Sequence, residues 1–245
     1  MRLRVLTYNI HHGVGMDRRL DLERIARVIA GSGADLVALQ EVDRHFAPRS
    51  GFVDQAGWLG DRLGMHHAYG GSLDLDPDEP DRPRRQYGNA LLSRHPIEEC
   101  GTTLLPRCEV SRNPEDRSLL SGQLRAGEVT VRVYTTHLHQ STQQGRLRQA
   151  RRVRELIGAP AEPVILLGDF NAAPGTEEVR EIGRGLRDAW REAGRWGRGH
   201  TFPAIWPRIR IDYVMASARF AVTGARVPRT RASDHRPVVV DLQLG

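Results

Sequence analysis

"VILLGDFNAAPGT", Val164 to Thr176, starts as a buried strand and ends on an acid, an aromatic and a carboxamide. Side chains alternate along a strand, so Asp169 and Asn171 should point one way while Phe170 turns back into the apolar layer. One reading is an Asx-type turn punctuated by Gly168, Pro174 and Gly175, with Thr176 capping a helix that begins at Glu177. The other is a pair of polar groups converging on a functional site where a rigid strand hands the chain to a loop. The stretch alone leaves both open.

Working outward, strands are expected at Leu3–Asn9, Asp35–Glu41, Tyr87–Ser93, Leu119–Arg125, Val129–His137, Ile209–Ser217, Phe220–Val227 and Pro237–Gln243. Helices are expected from Asp21 to Ala30, from Asp54 to Leu63 and from Ser141 to Ile157. In the last, Ser141 with Gln144 reads as a capping box, and Leu147, Ala150, Val153 and Ile157 form the apolar stripe. Its other face carries Arg146, Arg148, Arg151, Arg152 and Arg154 and reads as a solvated surface. "DLDPDEPDRPRR" reads as an exposed loop, and Arg191 to Arg210 as a long surface loop. No linker or repeat divides residues 1–245, which points to one mixed α/β domain with two packed sheets and helices outside.

At 245 residues and 39% hydrophobic, the chain can bury one large core. No apolar run approaches the roughly 20 residues of a bilayer span, and "MRLRVLTYNI" passes directly into a strand pattern, so a cytoplasmic location is expected. Cys100 and Cys108 lack the spacing of a zinc site or a disulfide framework and read as reduced thiols. The net charge of +6 suits an anionic partner, but the chain contains no lysine, a bias that points first to GC-rich codons. Near a site, arginine is still the better fork for phosphate.

The other expected strands also end in polar groups. "VLTYN" ends in Asn9, "LVALQE" in Glu41, and "VYTTHLH" in His137 and His139; "RIDY" carries Asp212 within a strand, and "SDHRP" presents Asp234 and His235 just before one. Each alone reads as a turn or surface residue. A set of one chemical type, repeated at successive strand ends, reads as a site. Oxygens from Asn9 and Glu41 suit a hard divalent cation such as magnesium. Zinc would ask for more histidine or thiolate, and His11 and His12 in "HHG" are too local to change that preference. Asp212 in a strand needs a partner, and His235 is the candidate ring for an Asp–His pair. No GxSxG or comparable motif supplies a covalent nucleophile, so water is the expected one.

In order along the chain, "TYNIHHG", "ALQEVD", "GNALLSRHPI", "TTHLH", "LLGDFNAAP", "RIDYV" and "SDHRPVV" resemble the endonuclease/exonuclease/phosphatase superfamily. The resemblance implies a four-layer α/β/β/α sandwich, a single domain of two packed mixed sheets with the site at one edge of both. It implies phosphoester hydrolysis, with a phosphodiester expected, by in-line attack of water in the presence of Mg2+ or Mn2+. By motif position Asn9, Glu41 and Asp234 resemble the metal group, and His137 the histidine that binds or protonates near the scissile phosphate. Asp169 resembles the residue that positions or deprotonates water, Asn171 a donor to phosphate oxygens, and Asp212 the acid that orients His235. Asn89 and Arg117 resemble phosphate contacts, and His139 a neighbour without a role. The substrate could be a phospholipid headgroup, a small phosphoester or a nucleic acid; no partner protein is implied. "TYNIHHG" leans away from the abasic-site nucleases. Trp196, Phe202 and Trp206 amid arginines suit stacking on bases, contact with a lipid interface, or a packed loop. The rivals are a nuclease acting on DNA or RNA and a non-catalytic phosphate- or lipid-binding module that keeps the fold.

Overall fold

The computed structural model describes residues 1–108, 115–127, 129–194 and 197–245. In chain order the strands are β1 (Arg2–Asn9), β2 (Leu36–Arg44), β3 (His66–Leu75), β4 (Arg85–Ser93), β5 (Ile97–Leu104), β6 (Ser118–Ala126), β7 (Val129–His137), β8 (Val164–Asp169), β9 (Arg187–Asp188), β10 (Asp212–Ala216), β11 (Phe220–Arg226) and β12 (Val238–Leu244). The α-helices are α1 (Leu22–Ser32), α2 (Gln55–Leu63), α3 (Gln143–Ile157), α4 (Glu177–Ile182) and α5 (Ala189–Glu192). Two six-stranded sheets result, ordered β11-β12-β1-β2-β4-β3 and β5-β6-β7-β8-β10-β9. Both are mixed: β1 runs parallel to β2 but antiparallel to β12, and β8 runs parallel to β7 but antiparallel to β10.

Period-two alternation builds the layers. Leu3 and Val5 of β1 face the core between the sheets with Ile165 and Leu167 of β8, Val131 and Val133 of β7, and Val214 of β10. The alternate residues Leu6 and Tyr8 face outward under Ile25 and Ile29 of α1 and Leu59 of α2. On the far side Val164, Leu166 and Tyr213 lie under Ala150, Val153 and Ile157 of α3 and Val179 and Ile182 of α4. The product is the expected α/β/β/α sandwich. The same parity carries Asn9, His137, Asp169 and Asp212 onto the inner faces at the strand ends. A fully buried polar bridge also ties the sheets: Thr7 Oγ1 donates to Gln40 Oε1 (3.2 Å), and Gln40 Nε2 donates to Thr135 Oγ1 (3.0 Å).

Several expectations need adjustment. β3 and β5 lie outside the strands expected from the sequence: both are edge strands, β5 is largely exposed, and β3 carries Gly70 and Gly71, so neither shows an apolar alternation. The loop after β3 is correspondingly shorter than "DLDPDEPDRPRR", because Asp74 and Leu75 finish β3 and Arg85 opens β4. The cap of α3 is Thr142, whose side chain accepts from Gly145 N, rather than Ser141. Ser141 instead turns back, its backbone N–H donating to His139 Nδ1 at 3.1 Å. Thr176 does precede α4, but its side chain makes no capping bond. β10 covers only the end of the expected Ile209–Ser217 strand, because Ile209 pairs with Phe202 in an isolated bridge.

The α3 arginines are less free than a solvated face would be: Arg146, Arg151 and Arg154 pair with Glu178, Glu177 and Glu181 of α4. Both cysteines are free, Cys108 buried and Cys100 exposed. No helix among the described residues is long and apolar enough to cross a membrane.

Candidate active site

One row of the second sheet holds three of the polar strand-end residues. Asp169 of β8 is in register with His137 on one side and with Asp212 on the other. All three are buried. The turn after β8 is an Asx turn, and it leaves one Asp169 oxygen available to the facing sheet. Asn171 N donates to Asp169 Oδ1 (2.9 Å), an Asx bond, while Asp169 Oδ2 faces the site. Phe170 is turned outward as expected and stacks on Tyr213, with centroids 4.8 Å apart and planes at 10°.

The first sheet meets this row through Asn9. Its Nδ2 donates to Asp169 Oδ2 (3.1 Å) and to Glu41 Oε1 (2.9 Å), and its Oδ1 accepts from His11 N (3.0 Å). Asn9 therefore orients Glu41 with its nitrogen and spends its oxygen on the next turn. Glu41 should by strict alternation lie on the outer face with Leu39. A bulge at Gln40–Glu41, opposite Asn89 of β4, and a left-handed backbone at Glu41 (φ 57°) aim it elsewhere.

His235 arrives from the segment before β12, which is tied to β1 where Ser233 Oγ donates to Asn9 O (2.7 Å). Its Nδ1 lies 3.0 Å and 3.3 Å from the two Asp212 oxygens, and its Nε2 lies 3.7 Å from Asp169 Oδ2. A carboxylate accepts only, so Nδ1–H donates to Asp212. Burial alone would lower the His235 pKa, but Asp212 and Asp169 more than reverse this and raise it to about 10. Burial and the Asp212 charge push Asp169 up to about 7. The expected Asp212–His235 pair is thus present, with Phe202 packed on the ring at 4.8 Å.

His137 is held differently. Arg117 Nη1 lies 3.0 Å from its Nδ1 and Asn171 Nδ2 lies 3.0 Å from its Nε2; both nitrogens only donate, and a neutral imidazole accepts from one of them at a time. Nε2 also lies 3.4 Å from Asp169 Oδ2, and Asn171 Nδ2 donates to Leu138 O. Burial, with the Arg117 charge behind it, holds His137 neutral, well below its ordinary value.

A cavity of about 570 Å³ opens beside these groups, lined on its polar side by His11, His12, Glu41, Asp234, Glu115, Arg117 and Gln140. Phe46, Arg49, Leu73 and Tyr87 complete the lining, with Arg49 over the Phe46 and Tyr87 rings and paired to buried Asp43. Asn9 connects Glu41 to Asp169, and Arg117 connects the cavity to His137, so His137 lies one hydrogen bond from the lining and Asp169 two. Asn89 stays out of the lining, its Nδ2 donating to Ser118 O (3.2 Å). His139 turns toward the start of α3.

His11 and His12, set aside in the sequence, stand at Glu41: one ligand atom from each of the three lies within 4.8 Å of the others. Arg191–Arg210 is also more than a surface loop, since Thr201 is buried and Phe202 packs on His235. Trp196 lies outside the described residues, and Trp206 is 76% exposed.

A family model described as the Endonuclease/Exonuclease/phosphatase family matches residues 6–235. "Uncharacterized protein YbhP" of Escherichia coli (strain K12) is 30% identical over 262 residues, covering 98% of this chain and 96% of the relative. Among solved structures, an endonuclease/exonuclease/phosphatase from Beutenbergia cavernae DSM 12333 superposes with a TM-score of 0.79 at 29% identity, covering 100% of this chain and 72% of that one. A mannosyl-6-phosphatase from Bacteroides thetaiotaomicron VPI-5482 shares the fold with a TM-score of 0.73 at 21% identity, covering 99% of this chain and 100% of its own.

Proposed function

The chain belongs to the endonuclease/exonuclease/phosphatase family, and on that premise we propose that it is a divalent-metal-dependent phosphoesterase in which an activated water attacks phosphorus in line. The observation that carries this reading is the single row His137–Asp169–Asp212, met by His235 on one side and by Asn9 and Glu41 of the other sheet.

Glu41 and Asp234, which line the same cavity, would hold Mg2+ or Mn2+, with Asn9 fixing the Glu41 carboxylate. The residues fit a cation: His12 Nδ1 is buried without a hydrogen-bond partner and faces Glu41 Oε2 at 4.0 Å. A bound divalent ion supplies neutralisation of the charge that builds on the phosphoryl oxygens.

The chain's own groups divide the remaining work. Asp169, with a pKa near neutrality, orients the water and accepts its proton. His235, held cationic by Asp212, stabilises the charge at Asp169 and at the attacking oxygen. His137, kept neutral between Arg117 and Asn171, contacts the phosphate without protonating it. Arg117, whose Nε is buried without a partner, and Asn171 complete the phosphate contacts.

The cavity is in the size range of small-molecule sites, and its Phe46–Tyr87 wall suits the organic part of a small phosphoester or headgroup. A nucleic-acid substrate is favoured by a different feature, exposed Trp206 beside Arg229, Arg231 and Arg236. A panel of sugar phosphates, lysophospholipid and sphingomyelin headgroup esters, and DNA and RNA, run with Mg2+ or Mn2+ and again with chelator, tests the reading. Chelator-sensitive hydrolysis of a small ester is expected. Absence of turnover on every arm would refute catalysis, and turnover confined to DNA or RNA would favour the nuclease.

A further inference from the structure

Immediately after Asn9 the chain makes a single 3-10 turn, His11–Gly13, in which two consecutive histidines take left-handed backbone angles, φ 46° at His11 and 43° at His12. Glu41, on the neighbouring strand end, is also left-handed at φ 57°. Non-glycine residues in this region cost of order 1–3 kcal/mol each and persist where the surroundings impose them, which is characteristic of functional sites. These three, among eight non-glycine residues with positive φ in the described residues, are the ones whose ligand atoms converge within 4.8 Å.

The rings are prepared as ligands. His11 Nδ1 lies 3.3 Å from Val14 O, a contact that places the proton on Nδ1 and leaves the Nε2 lone pair free. His12 Nδ1 is buried, has no hydrogen-bond partner, and faces Glu41 Oε2. A buried imidazole nitrogen left unpaired beside a carboxylate costs stability unless something binds there. The second cluster of this kind among the described residues, Asp169–Asp212–His235, differs: its atoms are occupied by Asn9, Asn171 and one another, and all three residues are fully buried.

We propose that His11, His12 and Glu41 form a mixed imidazole–carboxylate site that gives the cation position at Glu41 a preference for borderline first-row ions such as Zn2+ or Co2+ over Mg2+. Imidazole nitrogen suits those ions, whereas magnesium asks for oxygen ligands. The inference rests on the proposed cation at Glu41 and changes which ion occupies it.

The test is binding of Zn2+, Co2+ and Mg2+ to the full-length chain, purified without a polyhistidine tag and freed of metal, by calorimetry. The variants His11→Asn and His12→Asn suit the backbone, because asparagine tolerates the left-handed region and replaces nitrogen with oxygen. Each should weaken Zn2+ and Co2+ binding by at least about tenfold, the scale on which even outer-shell partners act, while Mg2+ binding stays within about twofold. Independently of any variant, the wild-type Co2+ adduct should show exchangeable imidazole N–H protons shifted paramagnetically in its proton NMR spectrum.

Unchanged Zn2+ and Co2+ affinity in both variants, or a cobalt adduct without shifted imidazole protons, would overturn the site. Failure of the phosphoesterase reading is a separate result. Histidine-dependent zinc binding without turnover refutes only the chemistry, and magnesium-supported turnover with histidine-independent metal binding refutes only the site.

Discussion

Gly168→Ala tests how tightly the site depends on the spacing of its strands. Gly168 precedes Asp169 on β8 and is in register with Thr136 of β7. A Cβ at Gly168 would lie 2.1 Å from Thr136 O, and real Cβ atoms essentially never approach closer than 3.0 Å. The obstacle is backbone, so no rotamer relieves it, and β7 and β8 must part by the difference, about 0.9 Å. Asp169 Oδ2 holds Asn9 Nδ2 at 3.1 Å, His137 Nε2 at 3.4 Å and His235 Nε2 at 3.7 Å. The His235 contact is an ion-pair distance only, but a parting of that size between β7 and β8 would carry His137 Nε2 out of hydrogen-bonding reach of Asp169.

A misplacement of about 1 Å costs roughly 10²-fold in rate, and overpacking a core costs about 1–3 kcal/mol. The expected outcome is a folded protein with kcat down about 10²-fold and a lowered urea midpoint. Gly31→Ala in α1, whose added Cβ would meet nothing within 4 Å, is the control and should leave the rate unchanged. If Gly168→Ala keeps kcat within about threefold of wild type, the dependence of catalysis on this strand spacing is refuted.

Asp212→Asn removes a carboxylate that holds His235 up at about 10, so the His235 ring should titrate at lower pH by NMR, with turnover falling about 10²–10⁴-fold. Arg117→Met takes away the donor to His137 Nδ1 and a phosphate contact; kcat/KM should drop about 10–100-fold, and His137 should titrate higher without the Arg117 charge. The Asp169 pKa is raised from 3.8 to about 7, so its contribution to stability is full below about pH 4 and is lost as pH rises through 7. With chelator present, the melting temperature of wild type relative to Asp169→Asn should therefore fall between pH 4 and 7; a flat difference contradicts the raised pKa. Gln40→Ala leaves Thr7 and Thr135 unpaired between the sheets and should cost about 1–3 kcal/mol by urea unfolding.

Strand-end chemistry was legible in the sequence because inner-facing parity reaches the ends of β1, β7 and β8 intact. Asn9, His137 and Asp169 each fall two residues beyond a core-facing side chain. At "GDFNA" the turn does not exclude a site: one Asp169 oxygen makes the Asx bond and the other accepts from Asn9 on the facing sheet. What stayed hidden depends on long-range placement. The bulge that aims Glu41 arises from pairing with β4, 45 or more residues downstream, and no local pattern announces it. His11 and His12 looked like a local pair because their relevance comes from Glu41 on another strand. The edge strands β3 and β5 face solvent enough to lose the apolar signature. Thr142 displaced Ser141 as the α3 cap by one residue, a distinction that the backbone path before the helix settles.

Among the described strands the chain passes between the two sheets twice, at the connections from Ser93 to Ile97 and from Ala216 to Phe220. All of the second sheet is therefore one continuous insert, residues 97–216, within a first sheet made from both ends of the chain. Asp169, Asp212 and His137 belong to the insert; Asn9, Glu41 and His235 belong to its host. Neither portion owns the whole proposed set. Cutting at the two crossings would give three pieces, two from the host and one insert; if the proposed chemistry holds, none should turn over substrate alone and reassembly should restore hydrolysis, making turnover a reporter of their docking.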